Sequence, residues 1–435
     1  MKKNFRIVMA ALMAAICLTA CGDEPSTDPG VQDNKVQDEV QQENTAQDDV
    51  TQGETQQEDV AQEEKVVLNV AMYPYVPAPE YFQDTLQKAW DELKQSDEKL
   101  ADVTLDFKEW DCYENSEIDD SLDVMVFDSI FLTEYASKGE LLQISDENID
   151  NSEDILGFVQ EGIKVNGDYY GLPQMICANL FFYRPDDTEV ASAGNVDKLY
   201  EVMGDYEGTE ERLKDGEGLL VDMSSGTGNV CLYLDAIVDS EAVYTDFTQM
   251  PDVEHISDEA IESLNDLIKM GGVNQVYAET SGSYDRAKWF SEGSGRAYIG
   301  YSESMAEMGD YVSQVQISTL ALANREDIPL FYVDIAAIND DIAENKEYAA
   351  LKLLNLMTSG EVMTETILGS QDSGPLYIMP ARKSCYEDLM ADIPIYTRLQ
   401  EITGKSENHV FRMGADAHAY IKETKKILPQ YLIQK

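Results

Sequence analysis

The chain divides into two parts of contrasting composition, and this boundary limits which residues can build a core. Residues 22–65 are rich in Gln, Asp, Glu and Thr, contain no aromatic residue, and repeat fragments such as VQDNKVQDEV only loosely. Such a segment buries too little apolar surface to offset the entropy of ordering, so we expect a solvated tether extended by charge repulsion. Residues 66–435 must therefore build the fold, and they suffice for two lobes with separate cores.

The first twenty residues have the pattern of an export signal. Lys2, Lys3 and Arg6 precede an apolar run at 8–18 that is too short to span a membrane. The following letters, LTAC, favour a bacterial lipoprotein signal cleaved before Cys21, whereas an ordinary secretory signal cut elsewhere is the alternative. Both predict an exported protein. Lipidation of Cys21 would anchor it to the outer face of a bacterial membrane.

The charge balance excludes some classes of partner. The chain has 84 acidic against 31 basic residues, a formal net charge of −53. This argues against nucleic acid and against anionic membrane surfaces, while it is compatible with a cationic ligand. Solubility at a crowded surface explains most of these charges equally well.

The number and spacing of cysteines and histidines argue against a metal site. Beyond the signal and Cys21, four cysteines remain, and they could form two disulfides in three ways: Cys112, Cys177, Cys231 and Cys385. A domain of this size does not need such bonds. The three histidines are not spaced as a metal pair and no CxxC motif occurs, so we expect no metal. No stretch has the pattern of a dinucleotide-binding fingerprint, so we expect no such cofactor.

Hydrophobic patterning predicts an α/β fold. Apolar runs and period-two alternation predict strands at 66–72, 103–110, 122–127, 170–183, 296–301 and 330–338. Helical spacing of apolar residues predicts helices at 80–95, 196–203, 230–237, 256–270, 284–291, 346–357, 359–368, 386–390 and 415–428. The run LDVMVF at 122–127 is typical of a buried parallel strand. The order resembles the two-lobed periplasmic-binding-protein architecture, in which ligands occupy the cleft between lobes.

The segment SSGTG at 224–228 precedes one predicted helix. Its backbone could bind an anion at the helix start. A helix cap with a tight turn is the alternative.

Cys177 and Glu303 are candidates for a nucleophile and its base. Each is a lone reactive residue within an apolar and aromatic stretch, GLPQMICANLFFY and GRAYIGYSESM. A thiol attacks as the thiolate and so needs a base, and a buried carboxylate has a raised pKa that lets it take that proton. Spacing alone does not bring the two together, and a lone cysteine in an apolar strand is more often an inert core residue.

Aromatic residues stand beside acids at several predicted strand ends. The set comprises Tyr73, Tyr75, Tyr113, Asp128, Tyr284, Tyr301, Tyr332 and Asp334. Aromatic faces combined with carboxylates suit a flat cationic heterocycle. For any single tyrosine, ordinary packing is the alternative.

Together these segments resemble the thiaminase I (thiamine pyridinylase) family across residues 66–428. The resemblance is carried by long and unusual stretches: AMYPYVP, LDVMVFDSIFL, NGDYYGLPQMICANLFFYR, WFSEGSGRAYIGYSESM, DIPLFYVD and HVFRMG. It implies the two-lobed fold and an enzyme that replaces the thiazole of thiamine with a second small nucleophile, without a cofactor. Together with the N-terminal pattern, it predicts a division into a signal peptide at 1–20, the lipidated cysteine and tether at 21–65, and a catalytic domain at 66–435.

The resemblance also implies roles for individual residues. The nucleophile falls on Cys177 and the general base on Glu303. The cleft aromatics fall on Tyr73, Tyr75, Tyr113, Tyr284, Tyr301 and Tyr332, and the pyrimidine-binding carboxylates on Asp128 and Asp334. A covalent adduct between the cysteine and the pyrimidine would precede transfer to the amine, pyridine or thiol.

Three features depart from the family pattern. The lipid signal with its tether bears on location only, residues 94–103 are expected to form a longer loop, and Cys112 places a second thiol near the expected cleft. Two other classes stay open: a lipid-anchored solute-binding protein for thiamine or a related cation, and a surface adhesion or scaffold protein. The first predicts binding without turnover and the second predicts no small-molecule cleft. We expect a monomer.

Overall fold

The structure is a computed structural model that describes residues 65–241, 250–282 and 284–434. The predicted signal peptide, Cys21 and nearly all of the tether lie outside these residues. None of the helices within the described ranges has both the length and the apolar character that a membrane span requires.

The strands form two principal sheets and one short hairpin. In chain order they are β1 (Val67–Ala71), β2 (Thr104–Lys108), β3 (Val124–Asp128), β4 (Lys164–Val165), β5 (Asp168–Tyr169), β6 (Leu172–Cys177), β7 (Leu180–Tyr183), β8 (Asp215–Leu220), β9 (Gly295–Gly300), β10 (Gln316–Ser318), β11 (Leu330–Ile338), β12 (Met379–Pro380) and β13 (His409–Val410).

The helices alternate with these strands along much of the chain. They are α1 (Pro79–Ser96), α2 (Leu132–Lys138), α3 (Gly157–Gly162), α4 (Thr188–Ala191), α5 (Val196–Met203), α6 (Gly226–Glu241), α7 (Asp258–Gly271), α8 (Val273–Val276), α9 (Asp285–Ser291), α10 (Glu344–Met357), α11 (Gly360–Leu368), α12 (Lys383–Asp392), α13 (Tyr396–Thr403) and α14 (Ala417–Ile427).

The first sheet is seven-stranded and mixed. Its order is β12-β6-β11-β3-β1-β2, with β13 paired to β11. All nine residues of β11 are buried, as expected for a strand at the centre of a sheet covered on both faces. α10 packs on this sheet, and α1, which packs against α10 and α11, directs Phe82, Leu86 and Trp90 into the core. β3 runs parallel to β1, as predicted, but antiparallel to β11.

The second sheet has four strands in the order β10-β7-β9-β8. α7 packs on β8 and α9 packs on β9. The chain passes from the first sheet into the second between β6 and β7, which only Ala178 and Asn179 separate. It returns to the first sheet between β10 and β11. Each lobe therefore has its own sheet, and the short crossing lies immediately after Cys177.

Several predicted elements keep their bounds and others change. The strand at 330–338 and the helix at 196–203 match the structure. The strand region at 170–183 is instead divided between the two sheets, because the chain changes sheet after Cys177. Residues 94–103, expected to be a loop, contain the end of α1 and a 3-10 turn at Glu98–Leu100. The Asp97 carboxylate caps that turn by accepting from the Lys99 N–H at 3.0 Å.

Two open alternatives are answered by the geometry. Ser225 Oγ accepts the backbone N–H of Gly228 at 3.1 Å, so this segment acts as the cap of α6. All four cysteines of the described residues are free thiols.

Candidate active site

Strand pairing brings four of the predicted residues to one face of the first sheet. On β11, Tyr332 and Asp334 are two residues apart and so point the same way. Tyr332 lies directly opposite Cys177 on β6, and Asp334 lies directly opposite Asp128 on β3. Directly opposed residues on antiparallel strands share a face. The sheet register alone therefore assembles a thiol, a phenol and two carboxyls.

Asp128 is buried at the end of β3 and accepts three hydrogen bonds. Its Oδ2 accepts from the Tyr113 hydroxyl at 2.7 Å, and its Oδ1 accepts from the Ile130 N–H at 3.1 Å. The third and weakest donor is the Ser129 hydroxyl, which shares its one proton between Oδ1, at 3.4 Å, and the Phe411 carbonyl, at 2.8 Å. Burial nevertheless raises the pKa of Asp128 to about 6, because desolvation of the charged form outweighs these hydrogen bonds.

The surroundings of Asp334 also disfavour the charged form of its carboxyl group. Burial raises its pKa well above the usual range, and the nearby charges of Asp128 and Glu303 raise it further. Among the residues that the structure describes, no lysine, arginine or histidine forms an ion pair with any of these three carboxyl groups. A cluster of buried acids without a protein cation is well suited to accept a cationic ligand, whose charge would stabilise the ionised forms.

The Cys177 thiol is partly buried at the end of β6. Burial raises its pKa well above the usual value, and the charge of Glu303 is the next largest cause. The thiol is therefore protonated at neutral pH. A base must remove its proton before it can attack.

Glu303 lies three residues beyond β9, in a 3-10 helix that runs over Ser302–Glu307. Its Oε1 accepts from the Tyr284 hydroxyl at 3.4 Å and its Oε2 accepts from the Ser302 hydroxyl at 3.3 Å. Burial raises the pKa of Glu303 to about 7. A carboxylate with this pKa can exchange a proton near neutral pH, as a general base must.

An aromatic contact joins the two sheets. The rings of Tyr301, just after β9, and Tyr332, on β11, meet edge to face with centroids 6.2 Å apart. A second group of rings, Tyr73, Tyr75 and Tyr113, packs edge to face, at 5.6 Å between the first two and 5.7 Å between the last two.

Tyr75 is the predicted residue that contributes least to the buried cluster. It is 53 % exposed, and its hydroxyl bonds to Asp111 rather than to one of the buried carboxyl groups. It therefore lies at the rim, while the other nine predicted catalytic and binding residues are buried or partly buried.

Sequence reasoning missed three polar neighbours of the site. These are Ser302, which donates to Glu303; Asp111, which also accepts the Tyr113 N–H at 2.9 Å; and Cys231, which hydrogen-bonds to Tyr332. Burial raises the pKa of the Cys231 thiol to about 12. Cys231 lies one helical turn into α6, and no periodicity distinguishes it from the surrounding apolar residues. Ser302 and Asp111 each had a signal, because they stand close to Glu303 and to Tyr113 in the sequence.

No group of three or more His, Cys, Asp or Glu side chains in the described ranges is arranged to hold a metal ion. What the arrangement offers is acid–base and nucleophilic chemistry on a flat cation. Buried carboxyl groups can stabilise the cation, aromatic edges and faces can enclose it, and a thiol can attack it beside a base.

Comparisons with known proteins show which family the chain resembles. The Thiaminase-1 domain family matches residues 178–323. The chain is similar to Thiaminase-1 of Paenibacillus thiaminolyticus, with 39% identity over 370 residues that cover 84% of this chain and 88% of the relative. It also resembles the structure of Clostridium botulinum thiaminase I in complex with thiamin, with a TM-score of 0.81 and 37% identity over 84% of this chain and 99% of that one.

A more distant likeness concerns the fold alone. The maltose-bound MalE3 of T. maritima superposes with a TM-score of 0.57 at 16% identity, covering 84% of this chain and 100% of that one. The expected two-lobed binding-protein-like α/β fold is thereby confirmed.

Proposed function

Because the chain belongs to the thiaminase I family, we propose that it degrades thiamine by transferring the pyrimidinylmethyl group from the thiazole to a second small nucleophile, as a thiamine pyridinylase. The observation that carries this proposal is the register that sets Cys177 beside Tyr332 and Asp334 beside Asp128 on one face. Glu303 contributes its charge to the same face from the second sheet.

The acid pair fits the aminopyrimidine. This ring is a poor electrophile until a ring nitrogen is protonated or strongly hydrogen-bonded. Asp128 and Asp334 have raised pKa values, so each can hold a proton or share one with the ring. Binding of the cation then favours their ionised forms. We assign Tyr73, Tyr113 and Tyr301 to the walls of this pocket.

The first half of the reaction uses Cys177 as the nucleophile. Glu303 takes the thiol proton while sulfur bonds to the ring carbon next to nitrogen. Electrons pushed from this adduct break the bond between the bridging methylene and the thiazolium nitrogen. Neutral thiazole leaves with that electron pair.

The second half regenerates the enzyme. Glu303 first releases the thiol proton to solvent. A second nucleophile (an amine, a pyridine or a thiol) then bonds to the exposed methylene, and Glu303 accepts the proton that an amine or thiol loses. The bond between Cys177 sulfur and the ring carbon breaks, and the departing thiolate takes a proton back from Glu303 or from solvent. All of these steps use side chains of this chain and the two substrates.

The test is a product analysis. The full chain is incubated with thiamine and an added amine or pyridine, and the products are identified by mass spectrometry. We expect free thiazole and a pyrimidine that carries the added nucleophile. The Cys177→Ser chain, the matched control, should bind thiamine and form neither product.

Two outcomes would contradict the proposal. Thiamine that is bound by the wild-type chain but recovered intact would indicate a solute receptor. Turnover that survives in Cys177→Ser would remove the thiol from the mechanism.

We also propose that the chain is exported and anchored through lipid on Cys21, and that it acts as a monomer. The support is the LTAC pattern after a short apolar run, and the acidic composition that follows it.

A further inference from the structure

His418 lies behind the predicted pyrimidine pocket and touches no predicted substrate residue directly. It is the second residue of α14, and its side chain is 14% exposed. Its Nδ1 lies 3.0 Å from Glu134 Oε2, and its Nε2 lies 2.7 Å from the carbonyl oxygen of Cys112. Cys112 immediately precedes Tyr113, so one end of this contact reaches the backbone beside a pocket residue.

Both partners of the ring are acceptors. The Cys112 carbonyl has no proton to give. The hydrogen bonds that His418 and Lys138 donate to Glu134 oppose its burial and lower the pKa of that carboxyl to about 2, so it is ionised. An imidazole with two such neighbours forms both hydrogen bonds only when each ring nitrogen carries a proton. The His418 ring thus bridges a carboxylate and a main-chain carbonyl.

His418 also contacts Tyr113 indirectly, through the ring of Phe131. The His418 imidazole stacks on Phe131, with centroids 4.0 Å apart and planes 18° apart. Phe131 in turn meets Tyr113 edge to face at 5.3 Å. Tyr113 is therefore supported from behind by its preceding carbonyl and by its neighbouring ring.

We propose that His418 is a positioning residue that fixes Tyr113 against Asp128, and thereby sets affinity for the pyrimidine of the substrate. The Tyr113 hydroxyl reaches Asp128 Oδ2 at 2.7 Å, a distance that depends on where the 112–113 backbone lies. Tyr135 also binds this segment, since its hydroxyl donates to the Asn115 carbonyl at 2.6 Å. His418 holds the end of the segment nearest to Tyr113. This inference rests on the proposed function for its kinetic readout.

The experiment compares His418→Phe with Tyr113→Phe and with the double variant. Phenylalanine keeps a ring to stack on Phe131 and removes both N–H donors. We expect His418→Phe to raise the KM for thiamine about tenfold and to change kcat by less than about twofold, because Cys177 and Glu303 lie on other elements. Tyr113→Phe should raise KM similarly, and the double variant should be no worse than Tyr113→Phe alone.

The controls separate positioning from folding. His255→Gln is the matched histidine control, because His255 is exposed and pairs only with the nearby Asp252 in the described residues; it should leave KM unchanged. His418→Gln, which keeps one donor, is a second variant in case His418→Phe does not fold. It should raise KM in the same direction by a smaller factor.

A substrate-free readout distinguishes this inference from the proposed function. In protein with labelled tyrosine, the ring NMR signals of Tyr113, assigned with Tyr113→Phe, should shift in both His418 variants and stay in place in His255→Gln. Unmoved Tyr113 signals, or KM effects that multiply in the double variant, would overturn the positioning role. Absence of thiamine turnover in the wild-type chain, with shifted Tyr113 signals, would count against the proposed function alone.

Discussion

At the scale of single residues, the site combines groups whose charged forms the fold disfavours. Asp128 and Asp334 lie directly opposite each other on neighbouring strands, where like charges are destabilising. Burial raises the pKa of both carboxyl groups, and the charge of Asp128 raises that of Asp334 further. A binding site for a cation gains affinity from the same arrangement, so stability and affinity should change in opposite directions when a carboxyl is removed.

Asp128→Asn should make this opposition measurable. The folded pKa of about 6 lies above the usual 3.8, so between these values the folded chain holds more protons than the unfolded chain. Stability therefore falls as pH rises through this window. Asparagine cannot ionise, so the variant should be more stable than wild type by about 2 kcal/mol at pH 8, with little gain at pH 4.

Denaturant unfolding at both pH values checks the stability, and calorimetry in the Cys177→Ser chain checks thiamine affinity, which should fall. An Asp128→Asn chain that is less stable than wild type at pH 8 would show that the hydrogen bonds to the carboxylate outweigh its desolvation.

Glu303 predicts the pH dependence of activity. Its pKa is raised to about 7, and a general base acts in its deprotonated form. The kcat/KM for thiamine should therefore rise with pH and reach half of its plateau near pH 7. Rate measurements between pH 5 and pH 9 test this.

The Glu303→Gln variant tests the same role of Glu303 as the base. It should still bind thiamine but form no covalent adduct with Cys177. An unchanged burst of adduct in that variant would show that Glu303 is not the base.

At the scale of elements, the Ser129 hydroxyl links three parts of the first sheet near the candidate site. Ser129, which follows β3, is fully buried. Its Oγ donates to the Phe411 carbonyl at 2.8 Å and accepts the Val333 N–H of β11 at 3.0 Å. It thus links the end of β3, the middle of β11 and the residue after β13. The relative placement of Asp128 and Asp334 depends on this link.

Ser129→Ala should lower the free energy of unfolding by about 1–3 kcal/mol, because a buried N–H and a buried carbonyl lose their partner. Denaturant unfolding measures this loss. Ser145→Ala is a control, since Ser145 is exposed and its side chain makes no cap bond, while its carbonyl accepts the Asn148 N–H at 2.8 Å. Equal stability of Ser129→Ala and wild type would mean that water replaces the hydroxyl.

The elements also show what a single sequence can predict. β11 was predicted at its observed bounds because every residue in it is apolar or faces the cleft. β8 was missed, since its sequence DGEGLL buries only the last two residues and holds Gly216 and Gly218 at φ of 68° and 76°. The division of 170–183 between two sheets depends on tertiary pairing that a continuous apolar run cannot reveal.

The candidate site residues were predicted from the family resemblance rather than from hydrophobic patterning. The spacing of Cys177 and Glu303 did not bring them together, and the resemblance to a family supplied their roles. The register of β11 against β3 and β6 supplies the physical reason for the pairs on the first sheet. His418 was not predicted because it contacts a backbone carbonyl. Every residue type has such a carbonyl, so the sequence does not show the contact.

At the scale of the whole molecule, the acidic composition should act on the rate of encounter. A formal charge of −53 creates a negative potential that attracts a cation such as thiamine. The kcat/KM for thiamine should therefore fall as NaCl rises from 10 to 500 mM, because salt screens exposed charges. The KM for a neutral second nucleophile is the control and should stay constant. A kcat/KM that ignores salt would mean that the charges serve solubility alone.

The predicted lipid anchor is tested by Cys21→Ser. In a bacterium that processes lipoproteins, the wild-type chain should incorporate labelled palmitate and sediment with membranes, whereas Cys21→Ser should do neither. Cys177→Ser is the matched control and should keep both properties. Labelling that persists in Cys21→Ser would place the modification elsewhere.

The two-residue crossing after Cys177 has a geometric consequence. A point on the axis of a rotation stays still whatever the angle, and this thiol ends the strand from which the chain steps into the other sheet. Should the sheets swing apart, the sulfur would travel little and would keep its place beside Asp128 and Asp334. Glu303, carried by the far sheet, would travel most. An open molecule would thus retain its nucleophile in place but lose the proton acceptor, so reactivity would be confined to the closed form.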